Sequence, residues 1–348
     1  MKFYRKVLIV IIILLFLYII WNFLKKRVKN IMRNDEGFES LPAAVSETTG
    51  VTSSTPVTIK SLSNKFADQP LRQYVIKGSY NSAVSGSYVS TDMIKYVLTR
   101  GCRFLDFEVF LINDDNGKPQ AQVAYSTDST FNTIDTNNSI LLDDALTTVV
   151  TNAFASPSPN GSDPLFINLR VKSNDPSIYS LVAASVDFHL KTSLYRGKVT
   201  NNTTMSSLLG KTVLLMDKTV KRSYADDCHC AKKAQSCYDL TKYINMESGG
   251  DNLFIQKYGD LLNQNSIQIN ILDKCDRCTD IANMRLVVPD GTKQNPIIDD
   301  FITQYGSQIV PYRFYISDKG LRNYESMFDN NKCAIIPLSY ALTYIKKM

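Results

Sequence analysis

The sequence predicts an α/β protein, a (β/α)8 TIM barrel preceded by one N-terminal transmembrane helix. Three observations support this fold class. Eight apolar, β-rich runs follow one another after residue 65, helical stretches separate several of them, and an uncharged run precedes them at residues 7–24. Strands that alternate with helices predict a parallel sheet, and eight of them in about 250 residues predict a closed barrel. The pattern alone leaves a doubly wound sheet open as the alternative.

The first element is the run at 7–24, which is apolar except for Asn22. As a helix it measures about 27 Å at roughly 1.5 Å per residue, which is enough to cross a bilayer. A secretory signal peptide is the alternative, but its apolar region is usually shorter and ends in small residues. This run ends in Trp21, Phe23 and a block of cations. We therefore interpret residues 1–33 as a retained single-pass membrane anchor whose partner is the lipid bilayer.

The charges around this run indicate an orientation and exclude one class of function. Three basic residues precede the span and five follow it, which favours a C-terminal body on the cytosolic side. Residues 1–60 carry nine basic and four acidic residues, so +5 of the formal net charge of +6 lies there. The nearly neutral remainder excludes a nucleic-acid groove. Four glycosylation sequons would matter only on a lumenal or outer face, but in an Asn-rich chain such sequons arise by chance: Asn137, Asn160, Asn201 and Asn202.

Residues 34–64 form the second predicted region. They are rich in Ser, Thr, Ala and Pro and show no apolar period. Such composition is typical of a flexible linker. The sequence therefore predicts a flexible tether that leads into a globular domain at residues 65–348.

The globular domain contains the predicted strands and helices. A helix is predicted at 90–101, with Ser90 and Thr91 as its cap and Gly101 at its end, and another at 141–155. In chain order, the eight predicted strands are 73–77, 104–112, 120–125, 165–171, 212–216, 267–272, 284–288 and 309–315.

Polar residues lie at the carboxyl ends of these strands, where a barrel of this kind carries its chemistry. Asp106 and Glu108 are two residues apart on one strand, so both face the same side of the sheet. The residues expected to converge at this end are Tyr80, Asn81, Asp106, Glu108, Tyr125, Ser126, Arg170 and Lys218.

Three blocks of sequence point to a known family. They are "YVIKGSYNSAVSGSYVSTDMIKYVLTRGCRFLDFEVF" (74–110), "LLGKTVLLMDK" (208–218) and "GSQIVPYRFYISDKGLRNYESMFDNNKCAIIPL" (306–338). In this order they resemble the catalytic barrel of phosphoinositide-specific phospholipase C, the eukaryotic type with X and Y halves. The resemblance divides the domain into an X-like half at 65–220, a divergent linker with cysteines at 221–280, and a Y-like half at 281–340.

The resemblance implies a phospholipase C-like barrel and a specific set of site residues. The family cleaves the phosphodiester between glycerol and inositol with two histidines, a carboxylate base and Ca2+. Tyr80 lies at the position of the first histidine, and Tyr125 or Ser126 at that of the second. Lys218 and Arg285 correspond to groups that hold the substrate, so a phosphoinositide headgroup is the implied ligand. The calcium ligands correspond to Asn81, Asp106 and Glu108, with Arg170 at the position of a fourth ligand.

Arg170 places a cation where a calcium ligand belongs, whereas Ca2+ requires six to eight oxygen ligands. The resemblance therefore implies calcium in the family and its loss in this chain. Two interpretations of Arg170 stay open. It forms an ion-pair network with Asp106 and Glu108 that fills the vacated space, or it replaces the metal and pairs with a substrate phosphate, as an arginine does in bacterial relatives. We expect the network, because an arginine in the metal's place still needs the missing histidines.

The chain contains two histidines, and neither is expected at the site. We expect His189 on a helix before the fifth strand, and His229 belongs to a cysteine cluster. Each positioned acid or base contributes about 10²- to 10⁴-fold, so losing two costs roughly 10⁴- to 10⁸-fold if their effects are independent. The predicted function is a membrane-anchored pseudoenzyme that acts as a binding or structural module.

Two other functions stay open. The first is an active phosphodiester hydrolase of phosphatidylinositol-type lipids with rearranged catalytic groups. The second is a structural membrane protein of a large DNA virus, which the Asn-, Ile- and Lys-biased composition suggests.

Five of the seven cysteines cluster after the fifth and sixth predicted strands. Thiolates at such spacings, together with His229, can hold a structural Zn2+. Disulfides between the two loops are the equal alternative in an oxidising compartment. The cysteines concerned are Cys228, Cys230, Cys237, Cys275 and Cys278.

Overall fold

The computed structural model describes residue 18 and residues 40–53, 55–228, 238–263, 283–290 and 294–347. In chain order over these residues, the helices are α1 (Ser40–Val51), α2 (Thr91–Thr99), α3 (Leu142–Ala153), α4 (Ser177–Leu190), α5 (Tyr224–Asp227), α6 (Tyr258–Asn263), α7 (Asp299–Thr303), α8 (Lys319–Asn331) and α9 (Leu338–Ile345). The strands are β1 (Tyr74–Ile76), β2 (Gly78–Ser79), β3 (Phe104–Asn113), β4 (Pro119–Ala124), β5 (Ile140–Leu141), β6 (Leu165–Lys172), β7 (Thr212–Asp217), β8 (Met246–Ser248), β9 (Leu253–Lys257), β10 (Met284–Val288) and β11 (Ile335–Pro337).

A run of parallel strands forms the centre of the largest sheet. β2, β3, β6, β7 and β8 lie side by side in this order, and each pairs in parallel with the next. Helices cover the outer face of the sheet, where Leu105, Ile167 and Leu169 belong to one buried apolar cluster. The residues that point to the other face begin in a second apolar cluster, with Phe104 on β3 and Phe166 on β6. Both faces of these strands are therefore buried, as is usual for parallel sheets.

The inner face changes from apolar to polar along each of these two strands. Residues that alternate by two share a face, so Asp106 and Glu108 follow Phe104 on β3. On β6 the same alternation places Asn168, Arg170 and Lys172 after Phe166. The carboxyl ends of neighbouring parallel strands thus bring several ionisable side chains together.

The pairings differ from the predicted closed barrel of eight parallel strands, which is not formed within the part of the chain that the structure describes. β4 runs antiparallel to β3, so the third predicted strand is the second arm of a hairpin. A tight turn reverses the chain there: Asp114 N donates to Lys118 O, and Gly117 adopts a φ of +77°. The predicted strand at 267–272 lies outside the described residues.

The last predicted strand, at 309–315, contributes single parallel bridges instead of a ladder. Ile309 bridges to Ile76 and to Leu286, and Tyr312 bridges to Ser79. These bridges link β10 with β1 and β2. Two further pairs complete the described sheets, because β9 pairs in parallel with β10 and β1 pairs antiparallel with β11.

The N-terminal part of the predicted tether is a helix. Residues 40–51 form α1, in which Ala44 and Thr48 are buried, and Thr48 Oγ1 lies 2.8 Å from Ser90 Oγ. The prediction of a structureless segment at 34–64 is therefore wrong over these residues. Ala44 and Thr48 are four residues apart and share one helix face, and the contact of that face with the start of α2 stabilises the helix.

The predicted membrane span at 7–24 lies, apart from Tyr18, outside the described residues. Among the helices that are described, none combines the length and the apolar character that crossing a bilayer requires.

A buried ion pair joins the two ends of the globular domain. Lys77, which follows β1, donates to Arg100 O at 2.7 Å and lies 3.3 Å from Glu325 Oε1 on α8. Arg100 Nε binds the same carboxylate oxygen at 2.7 Å. Because these charges are buried, they stay together only with good geometry, which fixes α8 against the first strand.

Candidate functional site

The candidate site is a buried charge cluster at the carboxyl ends of β3 and β6. In the parallel register of these strands, Glu108 pairs with Arg170 and Asp106 with Asn168. The loop after β2 brings Tyr80 next to them, because Tyr80 follows Ser79, which pairs with Leu105 on β3. Sequence positions far apart in the chain therefore meet at one end of the sheet.

Arg170 is the centre of this cluster and contacts four of the residues expected there. Its Nε donates to Asp106 Oδ1 at 3.0 Å, and its Nη2 donates to Asp106 Oδ2 at 2.5 Å. Nη1 donates to Glu108 Oε1 at 2.6 Å and to Tyr80 Oη at 2.9 Å. Nη2 also donates to Asn81 Oδ1 at 2.5 Å. These contacts are the ion-pair network that the sequence led us to expect.

All five N–H groups of the Arg170 guanidinium are used by these contacts. A guanidinium has five donors in a fixed planar fork and no acceptor. Two donate to Asp106, one to Glu108, one to Tyr80 and one to Asn81. The side chain therefore has no donor left for an external anion unless one of these bonds breaks.

Arg170 stays protonated although the residue is only 7% exposed. Burial by itself lowers the pKa of Arg170, but the nearby carboxylates of Asp106 and Glu108, together with Tyr80, raise it well above its usual value. Asp106 and Glu108 are themselves 1% exposed. Three buried charges thus depend on one another.

A second cation completes the cluster. Lys172, two residues after Arg170, lies 2.8 Å from Glu108 Oε2 and donates to Ser126 O at 2.6 Å. Ser126 N donates to the same carboxylate oxygen at 2.9 Å. Two carboxylates are therefore matched by two cations, and both oxygens of Glu108 are used.

Asp106 is held in place by a chain of neutral groups. Asn168 Nδ2 donates to Asp106 Oδ1 at 2.9 Å, and Ser248 Oγ on β8 donates to Asn168 Oδ1 at 2.7 Å. Asn81 N donates to Asp106 Oδ2 at 3.1 Å. Two neutral donors, in addition to Arg170, therefore hold this carboxylate in place.

Tyr80, at the expected position of the first family histidine, contacts the cation through its ring. The Arg170 guanidinium carbon lies 4.4 Å from the centre of the Tyr80 ring, a cation–π contact in addition to the hydrogen bond. Burial raises the pKa of Tyr80, and the neighbouring carboxylates add to that effect, whereas Arg170 opposes it. The hydroxyl therefore stays protonated near neutral pH and is a weak acid.

Asn81 shows backbone strain beside this tyrosine. Its φ is +47°, in the left-handed region that side chains other than glycine seldom adopt. Asparagine tolerates this region better than most residues. Its Nδ2 is buried and has no hydrogen-bond partner among the described residues.

Tyr125, at the expected position of the second histidine, borders the cluster without entering it. Its ring is partly exposed, and burial together with the charge of Glu108 raises its pKa. Tyr315, which the sequence did not suggest, lies near Tyr125 and Glu108, and burial raises its pKa as well. Both hydroxyls therefore stay protonated near neutral pH.

The sequence also missed four polar neighbours of Arg170. Asn168 and Lys172 lie two residues to either side of Arg170 on β6, so the alternation of the strand is a signal that could have found them. Ser248 lies on a three-residue strand that no pattern predicts. Asp217 ends β7, and burial raises its pKa while Arg170 opposes that shift.

The two predicted substrate cations differ in position: Lys218 directly follows the carboxyl end of β7, whereas Arg285 lies inside β10. Lys218 lies 3.1 Å from Glu247 Oε2 and lines a cavity of about 580 Å³ together with Lys198 and Thr200. Arg285 is 3% exposed, and its guanidinium carbon lies 5.7 Å from the centre of the Tyr305 ring. Arg285 is the second residue of β10 and so lies near the amino end of that strand, whereas the charge cluster lies at carboxyl ends.

The histidine that the structure describes is remote from the site. His189 lies on α4, where its Nε2 is 3.2 Å from Asp143 Oδ1 and its Nδ1 is 3.2 Å from Thr147 Oγ1. This confirms the expected helical position. His229 lies outside the described residues.

The cysteine cluster is described at one position only. Cys228 is buried with a free thiol, and its Sγ lies 3.3 Å from Tyr224 O. Cys230, Cys237, Cys275 and Cys278 lie outside the described residues. Among the residues that are described, no group of three or more potential ligands is placed to hold a metal ion.

The residues of the charge cluster do not fit a calcium ion. Ca2+ needs six to eight oxygen ligands, preferably with surplus negative charge. Here the oxygens of Asp106, Glu108 and Asn81 already accept from Arg170, and Lys172 balances the second carboxylate. The guanidinium occupies the point at which these oxygens converge and therefore fills the space that a calcium ion would need.

Comparison with known proteins finds a family model that matches part of the chain. Residues 67–218, which contain every residue of the charge cluster except Ser248, match the family model of the phosphatidylinositol-specific phospholipase C X domain. This part of the chain therefore resembles the X domain of phosphatidylinositol-specific phospholipase C. A search of the curated proteins gave no match.

Solved structures show the same fold. The crystal structure of L. pealei PLC21 matches with a TM-score of 0.58 and 14% identity over 81% of this chain. That of S. officinalis PLC21 matches with a TM-score of 0.57 and 14% identity over 83% of this chain. In each case the match covers 39% of the longer PLC21 chain. At this level of identity the likeness concerns the fold.

A bacterial structure is less similar. The calcium-dependent phosphoinositol-specific phospholipase C of Pseudomonas sp., in its apo form, matches with a TM-score of 0.44 and 13% identity, over 79% of this chain and 97% of that one.

Proposed function

We propose that this protein is a membrane-anchored, phospholipase C-like module that has lost phosphodiester cleavage and acts by binding or as a structural component at a membrane. The observation that supports the loss is the Arg170 cluster, in which the protein's own cation takes all the groups that a metal or a phosphate would need.

The acid–base groups of the site also argue against cleavage. A leaving group must receive a proton, and the best acids for this have a pKa near the working pH. Tyr80 and Tyr125 occupy the expected histidine positions, and burial raises the pKa of both. Tyrosine begins from a pKa of about 10, so these shifts move both hydroxyls further from useful acidity.

An arginine that replaces the metal and binds a substrate phosphate is also disfavoured. Such an arginine needs at least one donor free for the phosphate, and bidentate binding needs two. Arg170 uses its five donors inside the protein. Binding a phosphate would therefore leave Asp106 or Glu108 buried with fewer partners, which is costly.

Lys218 offers the better place for a headgroup. Its side chain is 39% exposed, and it lines the 580 Å³ cavity with Lys198, a second cation. Phosphate groups of a phosphoinositide can displace Glu247 from Lys218 at small cost, because the pair is partly exposed. The proposal of headgroup binding therefore depends on Lys218, and Arg285 is too buried to contribute.

The membrane anchor and the orientation remain part of this proposal. The uncharged run at 7–24 and the excess of basic residues after it support a single-pass protein with its phospholipase C-like barrel on the cytosolic side. Protease digestion of intact vesicles that carry the full chain tests this orientation. If the vesicles keep their cytosolic side inside, the domain at residues 65–348 should be protected, and its cleavage would contradict the orientation.

The direct test is incubation of the full chain, in mixed micelles, with labelled phosphatidylinositol and its phosphorylated forms, with and without Ca2+. We expect no release of inositol phosphate in either condition and retention of the phosphorylated lipids. Lys218→Gln should weaken retention about fivefold or more, whereas Lys191→Gln, which removes a similar surface pair on α4, should not change it. Release of inositol phosphate would overturn the loss of cleavage and favour an active hydrolase. Absence of retention would overturn headgroup binding.

A further inference from the structure

The last helix, α9, presents an aromatic and basic face to solvent. Tyr340 is 45% exposed, Thr343 and Lys347 are exposed, and Tyr344 is partly exposed. These positions are three or four residues apart, so they form one side of the helix. The opposite side contains Ala341, which is fully buried.

A second exposed aromatic residue extends this face. Phe66, in the short 3-10 helix Asn64–Phe66, is 36% exposed, and its ring centre lies 5.8 Å from that of Tyr340 in an edge-to-face arrangement. Lys65 Nζ lies 5.9 Å from the Phe66 ring centre. Two segments from opposite ends of the domain therefore combine into one surface.

Lysines dominate the charge of this surface. The segments 60–68 and 329–347 contain five lysines and two acidic residues, Asp68 and Asp329. The lysines are all exposed: Lys60, Lys65, Lys332, Lys346 and Lys347. Backbone contacts keep the segments together, because Lys60 N donates to Lys332 O at 2.9 Å and Thr58 Oγ1 donates to Asp329 O at 2.8 Å. A shallow cavity of about 330 Å³ lies between Tyr340, Lys347 and Asn331.

We propose that this aromatic–lysine patch, formed by Phe66, Tyr340, Tyr344, Lys65, Lys346 and Lys347, is a contact surface for an anionic lipid bilayer. Tyrosine and phenylalanine rings suit the headgroup level of a bilayer because one end is apolar and the other tolerates water. Lysines place their stems along apolar surface while the ammonium reaches the lipid phosphates. Each lysine near an anionic bilayer adds only a small electrostatic attraction, so several lysines close together are needed for a stable contact.

The patch is separate from the Arg170 cluster. α9 follows β11, whose Pro337 pairs with Tyr74 at the amino end of β1. The Arg170 cluster lies at the carboxyl ends of β3 and β6, whereas α9 begins at the amino end of β1. Lipid contact at the patch does not require lipid in the site, and it stands or fails independently of headgroup binding at Lys218.

Hydrogen exchange of the full chain on vesicles tests this proposal. The chain is bound to vesicles of phosphatidylcholine alone and to vesicles in which a third of the lipid is phosphatidylserine. We expect the amides of 338–347 and of 64–67 to exchange about fivefold more slowly on the anionic vesicles, and we expect the difference to vanish in 1 M salt, where the Debye length is about 3 Å.

Variants separate this contact from a general effect of the membrane. Lys346→Gln with Lys347→Gln should remove most of the slowing, and Tyr340→Ser should reduce it. Phe188→Ser is the matched control, because Phe188 is 83% exposed on α4 beside Asp187 and should have no effect. Equal exchange of 338–347 on both kinds of vesicle would overturn the proposal. Slowing that persists in the double lysine variant would also overturn it, since a partner other than anionic lipid would then cover the patch.

Discussion

Two buried arginines at opposite ends of the neighbouring strands β3 and β6 are stabilised in different ways. Arg170 binds two carboxylates and has every donor used. Arg103, which immediately precedes β3, is fully buried and binds neutral groups, Ala153 O at 2.9 Å and Asn160 Oδ1 at 2.7 Å, while its Nε has no partner among the described residues. Burial lowers the pKa of Arg103 to about 10, whereas the carboxylates raise that of Arg170.

The difference separates an arginine that neutralises carboxylates from one that binds neutral groups. A structural arginine needs acceptors, and carbonyl, amide and hydroxyl oxygens serve at Arg103. Two carboxylates on one strand face repel each other when no cation lies between them, and this destabilises the folded state. The same two carboxylates can serve as ligands of a metal ion. The proposed function implies that Asp106 and Glu108 keep the positions of metal ligands, and that Arg170 neutralises them in the metal's place.

The largest expected effect is on stability. Arg170→Met leaves two buried carboxylates short of a partner, so the free energy of unfolding in urea at pH 7 should fall by about 3–5 kcal/mol. Arg103→Met removes donors to neutral acceptors only and should cost about 1–3 kcal/mol. Arg170→Met combined with Asp106→Asn and Glu108→Gln should recover at least about half of the loss. Equal costs for the two single variants would contradict the distinction between the two arginines.

The next effect concerns metal binding. Arg170→Glu replaces the cation with an oxygen ligand beside Asn81, Asp106 and Glu108, so this variant should gain stabilisation by Ca2+ of about 1–3 kcal/mol at 10 to 100 times its dissociation constant. The native chain should show none. Thermal unfolding with Ca2+, and with Mg2+ as the control, measures both. Stabilisation of the native chain by Ca2+ would show that Arg170 does not exclude the metal.

A pH effect distinguishes the Arg103 end of the sheet. Burial raises the pKa of Asp163 to about 6, above its ordinary value of 3.8, although Arg103 and the hydrogen bonds from Leu62 N and Asn160 oppose the shift. The folded state therefore holds this proton more tightly than the unfolded state. Its contribution to stability is complete below about pH 4 and is lost as the pH rises through about 6. Urea unfolding from pH 4 to pH 7 should show this fall, and Asp163→Asn should remove it.

The smallest effect concerns Tyr80. Tyr80→Phe removes the hydroxyl that accepts from Arg170 Nη1 but keeps the ring over the guanidinium. The free energy of unfolding should fall by about 1 kcal/mol, the usual value of one such bond. Tyr80→Ala, which also removes the ring, should cost at least about 2 kcal/mol more. A loss above about 3 kcal/mol for Tyr80→Phe would mean that the hydroxyl stabilises Arg170 far more than a single hydrogen bond does.

The sequence predicted the centre of the site because strand alternation is a strong rule. Asp106, Glu108 and Arg170 lie on buried strands with period-two patterns, so their faces follow from the sequence alone. Tyr80 and Asn81 could be placed because they follow a strand that pairs directly with β3. The same rule places Asn168 and Lys172 on the face of Arg170.

The predicted barrel differs from the structure at the connection between its second and third strands. Seven residues separate the predicted strands at 104–112 and 120–125, whereas a crossover between parallel strands needs a dozen or more. The length of the connection, together with Gly117, therefore already indicated an antiparallel hairpin. β8 and β11 have three residues each, too few for any periodic pattern. Helix α1 depends on a contact with α2 that composition cannot show.

The most direct test of the loss of the metal site is a crystal structure of the native chain grown at pH 7 with Ca2+ and inositol 1-phosphate. We predict that Arg170 stays bound to Asp106, Glu108, Asn81 and Tyr80, with neither metal nor phosphate among these side chains. A calcium ion between Asn81, Asp106 and Glu108, with Arg170 turned away or bound to the phosphate, would contradict it.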